Sequence, residues 1–250
     1  MSKVKLKVTD IQKLTTNIKM FELKSEDGSP LPHWDAGSHI DIQIGDHMRR
    51  SYSLANEPGD TNRYVTAILR EADGSGGSKY MHDEISIGDH LTIAEPPTNL
   101  FPLNEGASRH LLIAGGIGIT PLRSMGYRLR ELGADFHLHY CTKSKAETAF
   151  YDEIAELFGE EGVTFHHDGG DPSNGIKLQD VLSAQEEGQH LYICGPSGLI
   201  NAARDAASHW RDGTVHFELF ASASKDQKAA EDETADTGDQ AFEVELKQSG

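Results

Sequence analysis

The sequence predicts two domains in series, a six-stranded antiparallel β-barrel followed by an α/β domain with a doubly wound parallel sheet. In the first hundred residues, short apolar or alternating runs are separated by turn-forming residues, which is typical of a small barrel. From His110 onward, apolar strands alternate with amphipathic helices, which is typical of a parallel sheet. The length of 250 residues suits two domains of ordinary size.

The first domain, residues 1–104, is predicted from six strands and one helix. The helix is expected after a glycine-rich stretch, at about Lys79–Ile85. The strands are predicted at Val4–Val8, Ile18–Leu23, His39–Ile44, Ser51–Leu54, Tyr64–Leu69 and His90–Ala94.

The second domain, residues 105–221, alternates five strands with four helices. The strands are predicted at His110–Ala114, Phe136–Cys141, Val163–His166, His190–Cys194 and Val215–Leu219. The helices are predicted at about Pro121–Leu132, Ala146–Phe158, Leu178–Ala184 and Pro196–Trp210.

The last segment, residues 222–250, differs in composition from both domains. Residues 222–240 contain only small, polar and charged side chains, which predicts a flexible acidic linker. After it, Phe242–Leu246 alternates apolar and acidic residues as a β-strand does.

Composition narrows the class of protein. A formal net charge of −17 argues against a nucleic-acid partner, because phosphate binding needs a basic face. No apolar run is long enough for a membrane span, and the N-terminus lacks the apolar stretch of a signal peptide. The two cysteines, Cys141 and Cys194, suit a reduced cytoplasmic protein and are too few for the four thiolates of an iron–sulfur cluster. No histidine array of metal-site type occurs, so we predict no metal.

The first motif with chemical content is Arg50-Ser51-Tyr52-Ser53. Alternate strand residues share a face, so Arg50 and Tyr52 point the same way. A cation and an aromatic ring on one face can hold a phosphate and a flat ring system. An ordinary half-exposed barrel strand is the alternative interpretation.

A glycine turn, Ser75-Gly76-Gly77-Ser78, precedes the predicted helix of the barrel. Free backbone N–H groups at such a turn bind anions, and glycine lets the backbone approach a ligand closely. The alternative is a purely structural turn in which Ser78 caps the helix.

A second glycine turn, Gly115-Gly116-Ile117-Gly118-Ile119-Thr120-Pro121, follows an apolar strand and opens a helix. This context is the one that a dinucleotide site requires. The last glycine of the usual pattern is replaced by Pro121, which fits a first helical turn that Thr120 can cap. A structural tight turn is again the alternative.

Two strand ends complete the set. Cys194-Gly195-Pro196 ends a buried strand, and strand ends of this kind face the ligand crevice of an α/β sheet. In Phe217-Glu218-Leu219-Phe220, alternation puts Glu218 and Phe220 on one face. The plain alternatives are a buried cysteine that packs as a small apolar residue and an ordinary edge carboxylate.

The order of these motifs resembles the ferredoxin-reductase superfamily, and most closely its phthalate dioxygenase reductase and vanillate demethylase reductase group. The resemblance is carried by R-x-Y-S, the GGS turn, GGIGITP, CGP and the final F-E-x-F strand, and by nearly all of residues 49–103. It covers about residues 5–221.

The resemblance implies a flavin in the barrel and a nicotinamide nucleotide on the second domain. It implies that Arg50 and the Gly76–Ser78 turn hold the flavin phosphate, with Tyr52 against the isoalloxazine. The remaining implied flavin contacts are Ser51, Ser53 near N5, and the backbone of Ala67, Ile68 and Leu69. The implied nucleotide contacts are Gly115, Gly116, Gly118, Thr120, Pro121, Gly195 and Pro196, with Cys194, Glu218 and Phe220 where the nicotinamide meets the flavin.

The group also implies FMN and NADH. FAD is the alternative flavin, and NADPH is the alternative nucleotide because Lys143 and Lys145 follow the second nucleotide strand. The expected electron acceptor is an iron–sulfur domain or a Rieske oxygenase component. Members of the group carry a plant-type ferredoxin domain after a linker, whereas this chain has only what resembles its first strand, FEVEL. Either the chain is a piece of a longer protein or a natural variant lost that domain.

Three functions remain open from the sequence. The first is the reductase component of a Rieske-type oxygenase, which oxidises NADH and releases electrons singly. The second is a stand-alone diaphorase that needs no cluster. The third is an electron-transfer or nucleotide-sensing subunit without turnover of its own.

Overall fold

The computed structural model describes residues 2–45, 48–159 and 161–220. Its first half is an antiparallel sheet whose strands follow the spatial order β4-β3-β6-β1-β2-β5. They are β1 (Ser2–Lys13), β2 (Ile18–Lys24), β3 (His39–Ile44), β4 (Met48–Ser53), β5 (Tyr64–Leu69) and β6 (His90–Glu95). The Thr66 hydroxyl donates to the Ser53 carbonyl at 3.0 Å, and this contact joins the two edge strands and nearly closes the predicted barrel.

The barrel core follows the two-residue period of the strands. Apolar residues at alternate positions point inward, as at Ile40 and Ile42, which are fully buried. β1 extends beyond the predicted Val4–Val8 because a register shift between Val8 and Asp10 interrupts the alternation without ending the pairing to β2.

The second half is the predicted parallel sheet, in the order β11-β10-β7-β8-β9. Its strands are β7 (Arg109–Gly115), β8 (Asp135–Thr142), β9 (Val163–His167), β10 (Gln189–Gly195) and β11 (Val215–Leu219). Its helices are α2 (Ile119–Leu132), α3 (Tyr151–Phe158), α4 (Leu178–Val181) and α5 (Ser197–Ala206), and α1 (Gly77–Asp83) belongs to the barrel. α2 and α3 pack on one face and α4 and α5 on the other, so the sheet is doubly wound.

Several predicted helix ends were wrong for local reasons. α1 begins at Gly77, and Ser78 does not cap it, because its hydroxyl instead accepts from the Glu71 N–H at 3.1 Å. α2 begins before Thr120, which donates its hydroxyl to the Ile117 carbonyl instead of capping. α3 begins at Tyr151 because Phe150 has a φ of 59°, which no α-helix continues. α4 and α5 each end before the predicted residue.

The two domains share one buried cluster. Ile18, Ala36, Ala67 and Phe101 of the barrel side pack in the same core as Leu112 and its neighbours in the α/β domain. The Gly37 N–H also donates to the Ser124 hydroxyl at 3.1 Å. The predicted boundary near residue 105 falls between β6 and β7 and stays a prediction, and the predicted tail, with Phe242–Leu246, lies outside the described residues. Among the described helices, none has the length and apolarity that crossing a membrane requires.

Candidate active site

A first cavity, of about 540 Å³, opens between the barrel and the end of β11. β4, β5 and the start of α1 form its barrel side, and β11 supplies residues from the other domain. Twelve sequence-predicted residues line it: Arg50, Ser51, Tyr52, Ser53, Ala67, Ile68, Leu69, Gly77, Ser78, Thr120, Glu218 and Phe220. The motifs from distant parts of the chain therefore meet at one site.

One end of this cavity is cationic. Arg50 lies against the glycine turn, where its guanidinium donates to the Ser75 hydroxyl and to the Arg49 carbonyl. A Cβ at Gly77 would come within 2.8 Å of the Arg50 Cγ, so a glycine is needed for the arginine to cross the turn. None of the ion pairs formed by described residues uses Arg50, which leaves its charge available for an anion.

The middle of the cavity is aromatic and apolar. Tyr52 is half-buried on the same face of β4 as Arg50, as the alternation predicted. Burial raises the pKa of the Tyr52 phenol to about 12, so the hydroxyl stays protonated at neutral pH. The adjacent wall is β5 at Ala67–Leu69. A flat ring system fits between such surfaces.

The far end contains a carboxyl group with a perturbed pKa. Glu218 on β11 reaches across the domain interface, and the Ser53 hydroxyl lies 3.5 Å from its Oε2. Burial raises the pKa of Glu218 to about 7, and the contact with Ser53 lowers it only partly. Glu218 therefore exchanges a proton near neutral pH, which is typical of a functional carboxyl group.

Cys194 lies beside Glu218 in the β10–β11 register but is fully buried. Burial, and then the neighbouring carboxylate, raise the pKa of its thiol well above the usual value. The thiol does not line either cavity, so its predicted contact with the nicotinamide stays a prediction. Phe220, in contrast, lines the first cavity and is 37% exposed.

A second cavity, of about 660 Å³, runs along the carboxyl ends of β7, β8, β9 and β10. The predicted residues Leu69, Gly115, Gly116 and Pro196 line it. This is the edge at which ligands bind in doubly wound sheets. Leu69 and Ile117 line both cavities, so a ligand in the second cavity can reach a ligand in the first.

The glycines of the turn have two different roles. Gly116 has a φ of 54°, and a Cβ there would meet no atom within 4 Å, so its backbone faces open space. A Cβ at Gly118 would come within 2.2 Å of the Cys194 carbonyl oxygen. A Cβ at Gly195 would come within 2.9 Å of Gly115. Gly118 and Gly195 thus allow the two turns to pack closely. Neither of these glycines lines the first or the second cavity, and the same holds for the predicted residues Gly76 and Pro121.

Sequence reasoning missed several lining residues. The first cavity is also lined by His39, Arg49 and Leu100, of which Leu100 is 77% exposed. The second is lined from the barrel by Thr15 and Asn17, after β8 by Glu147, and at the end of β9 by His166 and Asp168. Lys143, which the sequence had already marked, lines it as well. The rule that ligands bind at strand carboxyl ends would have found the second group, whereas nothing local marks Thr15 or Asn17.

Histidines cluster on the sheet without forming a metal site of the usual kind. His139 Nδ1 lies 3.0 Å from His166 Nε2. Burial lowers the pKa of His139 to about 4, with His137 and His166 adding to the effect, so this pair is neutral near pH 7. In the part of the chain that the structure describes, no three histidine, cysteine or acidic side chains are arranged to hold a metal ion.

The fold and the site together define the class of protein, which is an oxidoreductase of the ferredoxin-reductase superfamily. Its marks are a near-closed antiparallel barrel, a doubly wound sheet of nucleotide-binding type, and two cavities that meet between the domains. The family model described as dimethylamine monooxygenase subunit DmmA-like, N-terminal domain, matches residues 92–211. A solved structure of phthalate dioxygenase reductase matches with a TM-score of 0.86. That protein is described as a modular structure for electron transfer from pyridine nucleotides to [2Fe-2S]. It is 38% identical, and the match covers 91% of this chain and 71% of that one.

Curated relatives define the group within the superfamily. A tert-butanol monooxygenase/tert-amyl alcohol desaturase reductase subunit from Aquincola tertiaricarbonis is 39% identical over 247 residues, which are 98% of this chain and 73% of that protein. Phthalate dioxygenase reductase from Burkholderia cepacia is 40% identical over 218 residues, 87% of this chain and 67% of that protein. The chain belongs to this family of oxygenase reductase subunits, in the phthalate dioxygenase reductase and vanillate demethylase reductase group.

Proposed function

We propose that this chain binds FMN in the first cavity and oxidises NADH bound in the second, and that it passes the electrons to an iron–sulfur domain or a Rieske oxygenase component. The observation that carries the proposal is the junction of the two cavities at Leu69 and Ile117. Hydride transfer from a nucleotide to a ring cofactor requires the two ligands to be in contact, and this junction allows that contact.

The residues of the first cavity fit a flavin. Arg50 and the turn at Ser75–Ser78 would hold its phosphate, and Tyr52 would pack against the ring. Arg49 lines the cavity too but pairs with Asp41 at 3.5 Å, and Glu71 is also in the lining, so Arg50 is the cation assigned to the phosphate. The choice of FMN over FAD follows the likeness to the phthalate dioxygenase reductase group. When bound, the flavin supplies the chemistry that accepts a hydride and releases electrons one at a time.

The residues at the ribose end of the second cavity favour NADH. Glu147 and Asp168 are two carboxylates facing the cavity, against one cation, Lys143. Lys145 does not line this cavity, and its ammonium instead lies 4.0 Å from the centre of the Tyr151 ring. A 2′-phosphate would meet net negative charge there, whereas a ribose hydroxyl can donate to a carboxylate.

At the junction, the chain's own groups orient ligands and exchange a proton. Ser53 and Glu218 approach each other from different domains, so both are in place only when the domains are docked. A carboxyl group with a pKa of about 7 can hold or release a proton at this point at physiological pH. Ile117 and Leu69 are apolar neighbours that would exclude water between the rings.

The electron acceptor is inferred from the relatives, which are named as reductase subunits of oxygenase systems. The test of the proposal reconstitutes the protein with FMN and follows flavin absorbance as NADH or NADPH is added without oxygen. We expect reduction, with at least about tenfold higher kcat/KM for NADH. Absence of flavin binding would contradict the proposal, and faster turnover with NADPH would contradict the choice of nucleotide.

A further inference from the structure

Arg123 on α2 is a buried cation at the contact between the two domains. It is 8% exposed, and its Nη1 donates to the backbone carbonyl of Ala55 in the barrel at 2.6 Å. Its Nη2 donates to the Tyr127 hydroxyl at 2.8 Å, and its Nε is buried without a hydrogen-bond partner. Among the described residues, no carboxylate forms an ion pair with it. Burying a cation without a carboxylate partner is costly even with these two hydrogen bonds, which points to a role beyond packing.

The Arg123 contact reaches the wall of the first cavity. Ala55 follows Ser53 by two residues, and Ser53 faces Glu218. The segment between them is fixed in the barrel, because the Leu54 N–H donates to Ser38 and the Ala55 N–H donates to Val65, each at 2.8 Å. Because the segment is fixed in the barrel, the Arg123 contact ties α2 to a rigid point two residues from Ser53.

The other side of Arg123 contacts a buried residue that follows the loop beside the second cavity. The guanidinium lies 4.4 Å from the centre of the Phe150 ring, a cation–π contact. Phe150 is the one described non-glycine residue with a positive φ, which shows that its backbone is held in a strained conformation. It follows the loop in which Glu147 lines the second cavity. α2 itself begins directly after the Gly116–Gly118 turn.

We propose that Arg123 is a positioning residue that sets the alignment of the two cavities, and so the placement of the nicotinamide against the flavin. The inference rests on the proposed function and deepens it. The planar guanidinium of Arg123 connects three places. They are the end of β4 beside the first cavity, helix α2 after the Gly116–Gly118 turn, and the loop that contains Glu147. The neighbouring contact of Ser124 with Gly37 fixes one point of the interface, and the contact of Arg123 with Ala55 fixes a second. The two contacts together restrict rotation of one domain against the other.

The expected consequence is a loss of rate without a loss of affinity. Misplacing reacting groups by about 1 Å costs roughly a hundredfold in rate. In Arg123→Met, which keeps most of the side-chain volume, the limiting rate constant of flavin reduction should fall by about 10- to 100-fold. The Kd values for FMN and NADH should change by less than about threefold, because no lining residue is altered.

The experiment compares Arg123→Met and Arg123→Lys with Arg130→Met. Arg130 is an exposed arginine of the same helix whose side chain donates to the Glu156 carbonyl at 3.4 Å, away from the barrel. Stopped-flow traces give the limiting rate constant, and the long-wavelength charge-transfer band reports ring stacking. Hydrogen–deuterium exchange of Leu54 and Ala55 in the flavin-free protein provides a readout independent of turnover. We expect a weaker band and faster exchange in Arg123→Met, partial recovery in Arg123→Lys, and wild-type behaviour in Arg130→Met.

Three outcomes would overturn the positioning role. They are an unchanged rate constant and band in Arg123→Met, equal loss in Arg130→Met, or loss confined to FMN or NADH affinity. If Arg123→Met does not fold, Arg123→Lys decides in its place, and a wild-type rate constant in that variant overturns the proposal. A wild-type protein whose flavin NADH does not reduce would instead refute the proposed function, so the two failures are distinguishable.

Discussion

Replacing Arg50 by alanine should weaken flavin binding while leaving the barrel folded. Arg50 donates to Ser75 and to a backbone carbonyl but has no carboxylate partner among the described residues. Its charge is therefore free for the phosphate, and one charge-assisted hydrogen bond contributes about 1.5–3 kcal/mol. The expected loss is roughly 10- to 150-fold in FMN affinity.

The assay is quenching of FMN fluorescence during titration with the flavin-free variant. Arg70→Ala is the matched control, because Arg70 is also a barrel arginine and pairs with Asp83 at the other end of α1, outside the cavity. We expect near-normal FMN affinity in that control. Unchanged affinity in Arg50→Ala, or an equal loss in Arg70→Ala, would refute the assignment of the phosphate site.

Further predictions concern Glu218, the second cavity and the electron acceptor. The folded state favours protonated Glu218, so the unfolding free energy of the wild type should fall by about 3 kcal/mol between pH 4.5 and 7 relative to that of Glu218→Gln. Parallel pH profiles of the two unfolding free energies would contradict this. Gly198→Asp places a carboxylate in open space beside the second cavity and should raise the Kd for NADH at least about tenfold without changing the Kd for FMN. Gly118→Val should instead lower the yield of folded protein, because the valine side chain would meet the Cys194 carbonyl. With NADH, the chain should reduce ferricyanide readily but serve a Rieske oxygenase at least about tenfold more slowly than a version with an appended ferredoxin domain; equal rates would favour the stand-alone diaphorase.

The periodic features of the fold were predictable from sequence. Alternation on β4 placed Arg50 and Tyr52 on one face, and both line the same cavity. The β/α alternation after His110 predicted the doubly wound sheet, because each of the first four strands is followed by a helix before the next strand begins. These inferences depend only on local spacing, which the sequence displays directly.

Features that depend on tertiary contacts were not predictable. A Cβ at Gly118 would meet the Cys194 carbonyl, about 76 positions away in sequence, and no local pattern reveals that approach. The predicted nucleotide contact of Gly118 stays a prediction. Arg123 stands in an amphipathic helix where an arginine is normally solvent-exposed, yet it is buried against the barrel. Asn17 lines the second cavity only because the barrel turn meets the other domain.

The central claim is that one chain brings a bound flavin and a bound nicotinamide nucleotide together at Leu69 and Ile117. The most direct measurement is an anaerobic titration of the FMN-reconstituted protein with NADH, followed by flavin absorbance. The account predicts a yellow protein with one flavin per chain that is bleached by one equivalent of NADH. A protein that binds no flavin, or one that stays yellow with excess NADH, would contradict it.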